Sequence, residues 1–305
     1  MESKIIDAKR DGAKLNSGRR GLMRSAGLGV AGVAALGAAG ATGMGGLMAS
    51  SQSALADTSS DDAILNFALN LEYLEANFYL FAAFGHGLPA AMTTGSTPAG
   101  GVTGGSKVPF KLPILAQYAQ NIASDELAHV NFLRATLGAA KVGQPEINLQ
   151  SSFTTLAVAA GLIKQGQTFN PFADEESFFI GAYIFEDVGV TAYLGALASI
   201  TNPAYITAAG GIMAVEGYHA ATIRARLTDA HAARAAQAIS NLRATLSGAA
   251  DDEGIKTPDG KVNIAPTDSN GLAFARTTRQ VLNIVYGAQN VNSGLFFPNG
   301  IATTA

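Results

Sequence analysis

From Asp61 onward, apolar positions return every three or four residues in four long segments, the spacing of one face of an α-helix. In the first, 61–84, Phe67, Leu71, Leu74, Phe78 and Phe81 form one stripe and Leu65, Ala68, Ala76, Tyr79 and Ala83 an adjacent one, with Asp61 or Ser60 as the cap. A helix apolar on two neighbouring stripes belongs inside a bundle. The second segment opens at Pro113 and stops at Gly138; the third runs from its cap Asp174 to near Ile200. Pro203 opens the fourth, to Leu227, after so tight a turn that the third and fourth form an antiparallel hairpin. Between the second and third lies a long connection, 138–171, with one short helix expected over 153–164. Such a crossover is what two parallel neighbours in a bundle need. A more polar helix over 231–246, a turn-rich stretch 251–270, a short helix over 277–286 and an apolar Phe296-Phe-Pro tail complete the pattern. The predicted fold is all-α: a four-helix bundle over 57–228 with a long crossover between helices 2 and 3, plus C-terminal helical additions over 229–305. His86, in the Gly/Thr/Pro-rich loop 85–111, and His231 are expected to face solvent.

Polar residues interrupt the inner stripes at matching places. Glu72 stands in the buried part of the first helix and Glu186 alone in the apolar row of the third. On the second helix Glu126 and His129 are three apart, so both leave the same, otherwise apolar, face; Glu216 and His219 repeat the pair on the fourth. The halves of the bundle therefore repeat: Glu72-x6-Tyr79 matches Glu186-x6-Tyr193, and Glu126-x2-His129 matches Glu216-x2-His219. One Glu from each of two helices and a Glu-x-x-His from each of the other two is the ligand set of a carboxylate-bridged dimetal bundle. Four buried carboxylates carry four negative charges, which two divalent cations with neutral imidazoles cancel; without compensation such burial is costly. Lys and Arg are absent from all four inner stripes, which argues against carboxylates paired with side-chain cations. Oxygen and imidazole donors suit iron first and manganese next, and accept zinc.

Around this set, Glu75 shares a face with Glu72 and Tyr79 and reads either as an additional ligand or base beside the metals, or as a half-solvated rim carboxylate. Tyr79 and Tyr193 are expected either to donate to ligand carboxylates or to be core residues bonded to backbone carbonyls. Asp125 is placed to orient a His of another helix through its ring N–H, but the matching position on the fourth helix is Val215. Asp187 directly follows Glu186.

Residues 61–228 resemble ferritin-like dimetal proteins, and more narrowly the exported group related to plant desiccation-related proteins. The similarity lies in Leu65-Asn-Phe-Ala-Leu-Asn-Leu-Glu-Tyr-Leu-Glu-Ala76, Phe185-Glu-Asp-Val-Gly-Val-Thr-Ala-Tyr193, Gln280-Val-Leu-Asn-Ile-Val-Tyr286 and Phe296-Phe-Pro-Asn-Gly300. The resemblance implies Glu72 and Glu186 as single-Glu ligands, and Glu126, His129, Glu216 and His219 as paired ones, with one Glu of each pair bridging. The dimetal site itself suggests redox chemistry with dioxygen or peroxide, ferrous oxidation or peroxide removal. The alternative is a non-catalytic stress-protection protein whose metal pair only stabilises the fold.

Composition narrows the field. The absence of Cys excludes disulfides, thiolate metal sites and a Cys nucleophile. At the N-terminus, Ser17-Gly-Arg19-Arg20-Gly-Leu22-Met23-Arg24 resembles the twin-arginine export motif, followed by a Gly/Ala-rich run to about Ala49 and a small-x-small cleavage site at Ala54-Leu-Ala56. Residues 1–56 thus read as a signal engaging the twin-arginine machinery and delivering a periplasmic or extracellular protein. The run is long enough for a signal anchor, though its glycines dilute it. Of the chain's 20 basic and 23 acidic residues, the signal carries seven and three, leaving 13 and 20, a net charge near −7. Such a balance disfavours nucleic acid as a partner. Both a monomer and a homo-oligomer are compatible with this reading.

Overall fold

The computed structural model describes residues 61–303 except residue 258, and of residue 230 the backbone alone. The expected export signal, with its expected cleavage site, and Ser60 lie outside the described residues. The body is helical: α1 Asp61–Phe84, α2 Pro113–Leu137, α3 Ser151–Ala159, α4 Glu175–Ala182, α5 Glu186–Leu197, α6 Pro203–Arg226, α7 Ala230–Ser247 and α8 Thr278–Tyr286. α1 packs on α2 and α5 on α6, and the two pairs meet through α1 with α5 and α2 with α6. Val108, just before α2, bonds the end of α1 at Ala82, while Asn66 near the start of α1 bonds Ala140 just past α2, so this pair is antiparallel. A two-residue parallel ladder, β1 Val102–Thr103 with β2 Ile147–Asn148, ties the first loop to the crossover, an element that the helical pattern does not predict.

α1 is the axis of the molecule, buried on every side from Leu65 to Leu80. Asn66, Asn70 and Asn77 stand away from the metal-ligand stripe and replace water with backbone partners and, for Asn77, the side-chain oxygen of Gln144 as well. Asn66 bonds Ala140 O and Val142 N, Asn70 bonds both N and O of Ala302, and Asn77 bonds Gln144 and Leu88 N. The crossover and the C-terminal tail are thereby laid along α1, because a buried amide must find partners to offset its desolvation. An aromatic cluster closes one end: Phe78 of α1 meets Phe153 of α3 and Phe185 before α5, and both of these meet Phe296 of the tail, at ring separations of 4.9–5.5 Å.

Several expected boundaries shift. The short crossover helix ends at Ala159 rather than 164. Asp61 does not act as an N-cap but accepts from Thr201 and Asn202, fixing the α5–α6 turn to the start of α1. Ile206, which the helical spacing of the fourth segment places on its inner stripe, is 39% exposed. The largest correction concerns the third helix, which is two. After Ala182 the chain tightens into i→i+3 bonds, Ile184 to Gly181 and Phe185 to Ala182, and restarts at Glu186. The carbonyl of Tyr183 accepts from the guanidinium of Arg243 on α7. By composition, 175–197 is apolar enough to cross a membrane, but 83% of its most apolar window is buried within the protein, so it is a core segment.

Candidate metal centre

Glu72 on α1, Glu126 and His129 on α2, Glu186 at the first turn of α5, and Glu216 and His219 on α6 converge in the bundle interior, all at most 8% exposed. They form two groups that share two members. Glu72, Glu126, His129 and Glu216 each direct a ligand atom into one group, and Glu126, Glu186, Glu216 and His219 into the other; within each group these atoms lie within 4.8 Å of one another. His129 Nδ1 faces Glu72 Oε2 at 3.3 Å and Glu126 Oε2 and Glu216 Oε1 at 3.5 Å. His219 Nδ1 faces Glu126 Oε1 at 3.0 Å and Glu186 Oε2 at 3.5 Å.

The hydrogen bonding of these residues separates two kinds of carboxylate. Tyr193 of α5 donates to Glu72 Oε1 on α1, and reciprocally Tyr79 of α1 donates to Glu186 Oε1 on α5. Each single Glu therefore has one oxygen held by a tyrosine of the opposite half and one facing the cluster. Glu126 and Glu216 have both oxygens free. Among the described residues, Glu72 Oε2, Glu186 Oε2, both oxygens of Glu126 and of Glu216, and Nδ1 of both histidines are buried without a hydrogen-bond partner. The short N···O approaches are thus close but not aligned as hydrogen bonds. Eight orphaned donor atoms, four to a group, are a severe desolvation cost for the protein alone and a complete set of lone pairs for two cations. Two terminal carboxylates, two shared carboxylates and one imidazole per group fit a dimetal centre.

Surrounding residues make the halves unequal. His219 Nε2 meets Asp125 Oδ2 at 3.1 Å, and Asn121 also donates to that oxygen. A carboxylate on the outer nitrogen fixes the tautomer so that Nδ1 offers its lone pair inward. At the matching position α6 has Val215, so His129 lacks this support. Glu75 is 5% exposed, which excludes the half-solvated rim position. Burial first, and then the charges of Glu126, Glu72 and Glu186, push its carboxyl well above the ordinary range. Asp187 faces away from the centre, pairing with Arg224 and Arg243 at 2.8 Å. The buried guanidiniums of Arg224, Arg243 and Arg276 are paired with Asp187, Asp251 and Asp252, and none is bridged to a cluster carboxylate. His86 and His231 lie at the surface, the latter beside Glu176 at 2.8 Å.

One participant carries no polar group. A Cβ on Gly189 of α5 would stand 2.5 Å from Glu216 Oε2. Its place in the inner row one turn after Glu186 was visible, but a helical glycine does not reveal what approaches it. Gly189→Ala is expected to weaken metal binding about tenfold or more while leaving the metal-free chain as stable as before or slightly more so, since Ala is favoured over Gly in helices by about 1 kcal/mol. Metal titration and thermal melts of the metal-free protein check the two halves of that expectation.

Comparison with known proteins agrees with this geometry. The family model described as "Ferritin-like domain" matches residues 60–229. The chain belongs to the ferritin-like family. Among its relatives, desiccation-related protein PCC13-62 of Craterostigma plantagineum is 32% identical over 250 residues, covering 73% of this chain and 76% of the relative. Ferritin-like catalase Nec2 of Nesocodon mauritianus is 27% identical over 264 residues, 79% of this chain and 83% of the relative. The ferritin-like match spans α1 to the end of α6 and so contains all six converging residues.

Proposed function

We propose that this ferritin-like protein is exported by the twin-arginine route, holds a di-iron or di-manganese pair and removes hydrogen peroxide, two molecules yielding one of dioxygen and two of water. The observation that carries the reading is the set of eight orphaned donor atoms, two of whose carboxylates have both oxygens free to bridge. The name of a relative, ferritin-like catalase, supports peroxide as the substrate, and that of another, desiccation-related protein, supports a role in stress. A metal pair of this kind supplies the two-electron redox change that peroxide cleavage and oxidation require. Glu72, Glu126, His129, Glu186, Glu216 and His219 hold the pair. Tyr79 and Tyr193 orient its terminal carboxylates, and Asp125 orients His219. Glu75, with its raised affinity for a proton, holds or releases one beside the metals. The dry interior excludes bulk water.

The test is to load the purified protein with iron or manganese, count metals per chain, and follow oxygen release from hydrogen peroxide and oxygen uptake with ferrous iron. Two metals and oxygen release support the proposal. Uptake with ferrous iron alone makes the protein a ferrous oxidase instead, and two metals without turnover leave only the fold-stabilising role.

Loading must also displace protons. At His129 burial opposes the charged ring, but Glu72 and Glu126 outweigh it and lift it to about 10; at His219 Glu126 and Glu186 outweigh burial and lift it to about 11. Glu72 is pushed up to about 7, mainly by burial, and Glu216 well above its ordinary value, by burial and then by Glu126. Groups raised on folding stabilise the metal-free chain below their unfolded values, about 4.3 for Glu and 6.5 for His, and lose that contribution as pH rises through the folded ones. Metal binding needs the same groups deprotonated. Metal affinity and the metal-dependent rise in Tm are therefore expected to grow from pH 5 to pH 8, with net proton release. Calorimetric titration in two buffers of different ionisation enthalpy measures that release, and a value of zero contradicts the account.

A further inference from the structure

Behind the α5–α6 pair lies a second feature, a cavity of about 170 Å³ between these helices and the segment 264–274. Its helical walls are Val190 and Thr191 of α5 and Gly217, Ala220 and Ala221 of α6, and Phe274 comes from the covering segment. The cavity is not sealed from solvent, Ile264 on its wall being 52% exposed, but its volume exceeds the roughly 150 Å³ of the apolar cavity that accepts benzene in an engineered protein. A second apolar void among the described residues, around Phe153, Leu156 and Ile180, measures about 20 Å³ and admits no ring.

The sequence keeps the space open. A Cβ on Gly217 would meet nothing within 4 Å, so steric crowding does not account for the glycine, and a mid-helix Gly is unfavourable relative to Ala. The cover is pinned at both ends. Asn263 accepts from Arg224 and donates to Glu253, while Arg276 bonds Thr191, Asp251 and Asp252. Within it, a bridge between Thr267 and Ala273 folds the segment back on itself. The charges at the edge are already paired: Asp251 and Asp252 with Arg276, and Asp187 through its Oδ2 with Arg224 and Arg243, its Oδ1 being buried without a partner. A charged guest would find no free counter-ion there. A neutral one meets a nearly wholly apolar wall and the ring of Phe274, which favours an aromatic partner.

We infer that this cavity is a binding site for a small neutral aromatic molecule of single-ring size, separate from the metal centre and independent of the function proposed for it. The probe is toluene, with benzoate as its charged counterpart, titrated calorimetrically into the full chain with and without metal. Saturable toluene binding, with benzoate at least about tenfold weaker, is expected in both forms. Gly217→Leu and Ala221→Leu, which place a side chain in the space, are each expected to weaken toluene binding about tenfold or more while preserving the helical spectrum and metal stoichiometry. If one variant fails to fold, the other decides. Absence of saturable toluene binding to the unaltered protein, benzoate binding as tightly as toluene, or toluene binding unchanged in a folded variant overturns the inference.

Discussion

Glu126→Ala is expected to abolish tight binding of both metals, where Glu72→Ala or Glu186→Ala removes one. The difference follows from the atoms. Glu72 and Glu186 each direct a single free oxygen into one group of ligands, the other being held by a tyrosine, whereas Glu126 has a free oxygen in each group. Removing it leaves both groups short of a ligand and withdraws one of the two carboxylates that would be shared by both ions. The metal-free protein suffers as well. Although burial raises the pKa of Glu126, the two imidazoles outweigh it and hold the carboxyl at about 2, so it is the ionised centre against which both rings are protonated. Deleting one partner of a buried charge cluster costs about 3–5 kcal/mol, against a total stability of about 5–15 kcal/mol. Metal analysis should show well under one tightly bound ion per chain, and Tm should be the same with metal and with chelator. A Glu126→Ala protein retaining two tightly bound metals would mean that Glu126 is not shared.

The six converging residues could be found in the chain because a carboxylate or imidazole in an apolar stripe is conspicuous at helical spacing, and because the two halves repeat. The surroundings were legible only where a single helix supplies the information. Glu75 stayed ambiguous since its burial depends on the loops and tail that wrap α1, and those are placed by Asn66, Asn70 and Asn77 through partners as distant as Ala302. The division of the third helix was hidden for a similar reason. Residues 175–197 contain no proline and read as one apolar run, and the group that takes up the Tyr183 carbonyl lies sixty residues later in the sequence. The absence of Lys and Arg from the inner stripes was informative: buried guanidiniums exist, but on other faces, where they meet Asp187, Asp251 and Asp252. No periodicity within one helix reveals that second network, because its members come from α5, α6, α7 and the segment before α8.

That network leads to the other large expected effect. Arg243 donates to the carbonyl of Tyr183 at the division between α4 and α5, to Asp187 and to Asp252, while Arg224 holds Asp187 from the α6 side. Asp187 is the immediate neighbour of Glu186, so the guanidiniums fix the first turn of α5 and with it the direction of a carboxylate that contributes to one ligand group only. Arg243→Leu leaves a carbonyl without its donor and two buried acids under-compensated, an expected loss of about 3–5 kcal/mol. Burial opposes ionisation of Asp252, but Arg243 and Arg276 outweigh it and depress its pKa. Its contribution is present above the unfolded value of about 3.9 and lost as pH falls through the folded one, so the variant's deficit should narrow on acidification. Arg276→Leu also removes a guanidinium bond from Asp252, along with those to Asp251, but none from Tyr183 or Asp187. Both variants should melt earlier than the unaltered protein. Only Arg243→Leu should also weaken one of the two metals, the ion held by Glu186 and His219, and Arg243→Lys should not restore it, since an ammonium cannot span three acceptors as the planar guanidinium does. Stepwise metal titration of the two leucine variants, compared at equal fraction folded, separates a network that merely stabilises the body from one that aims Glu186; equal metal affinities in both would leave only the first role.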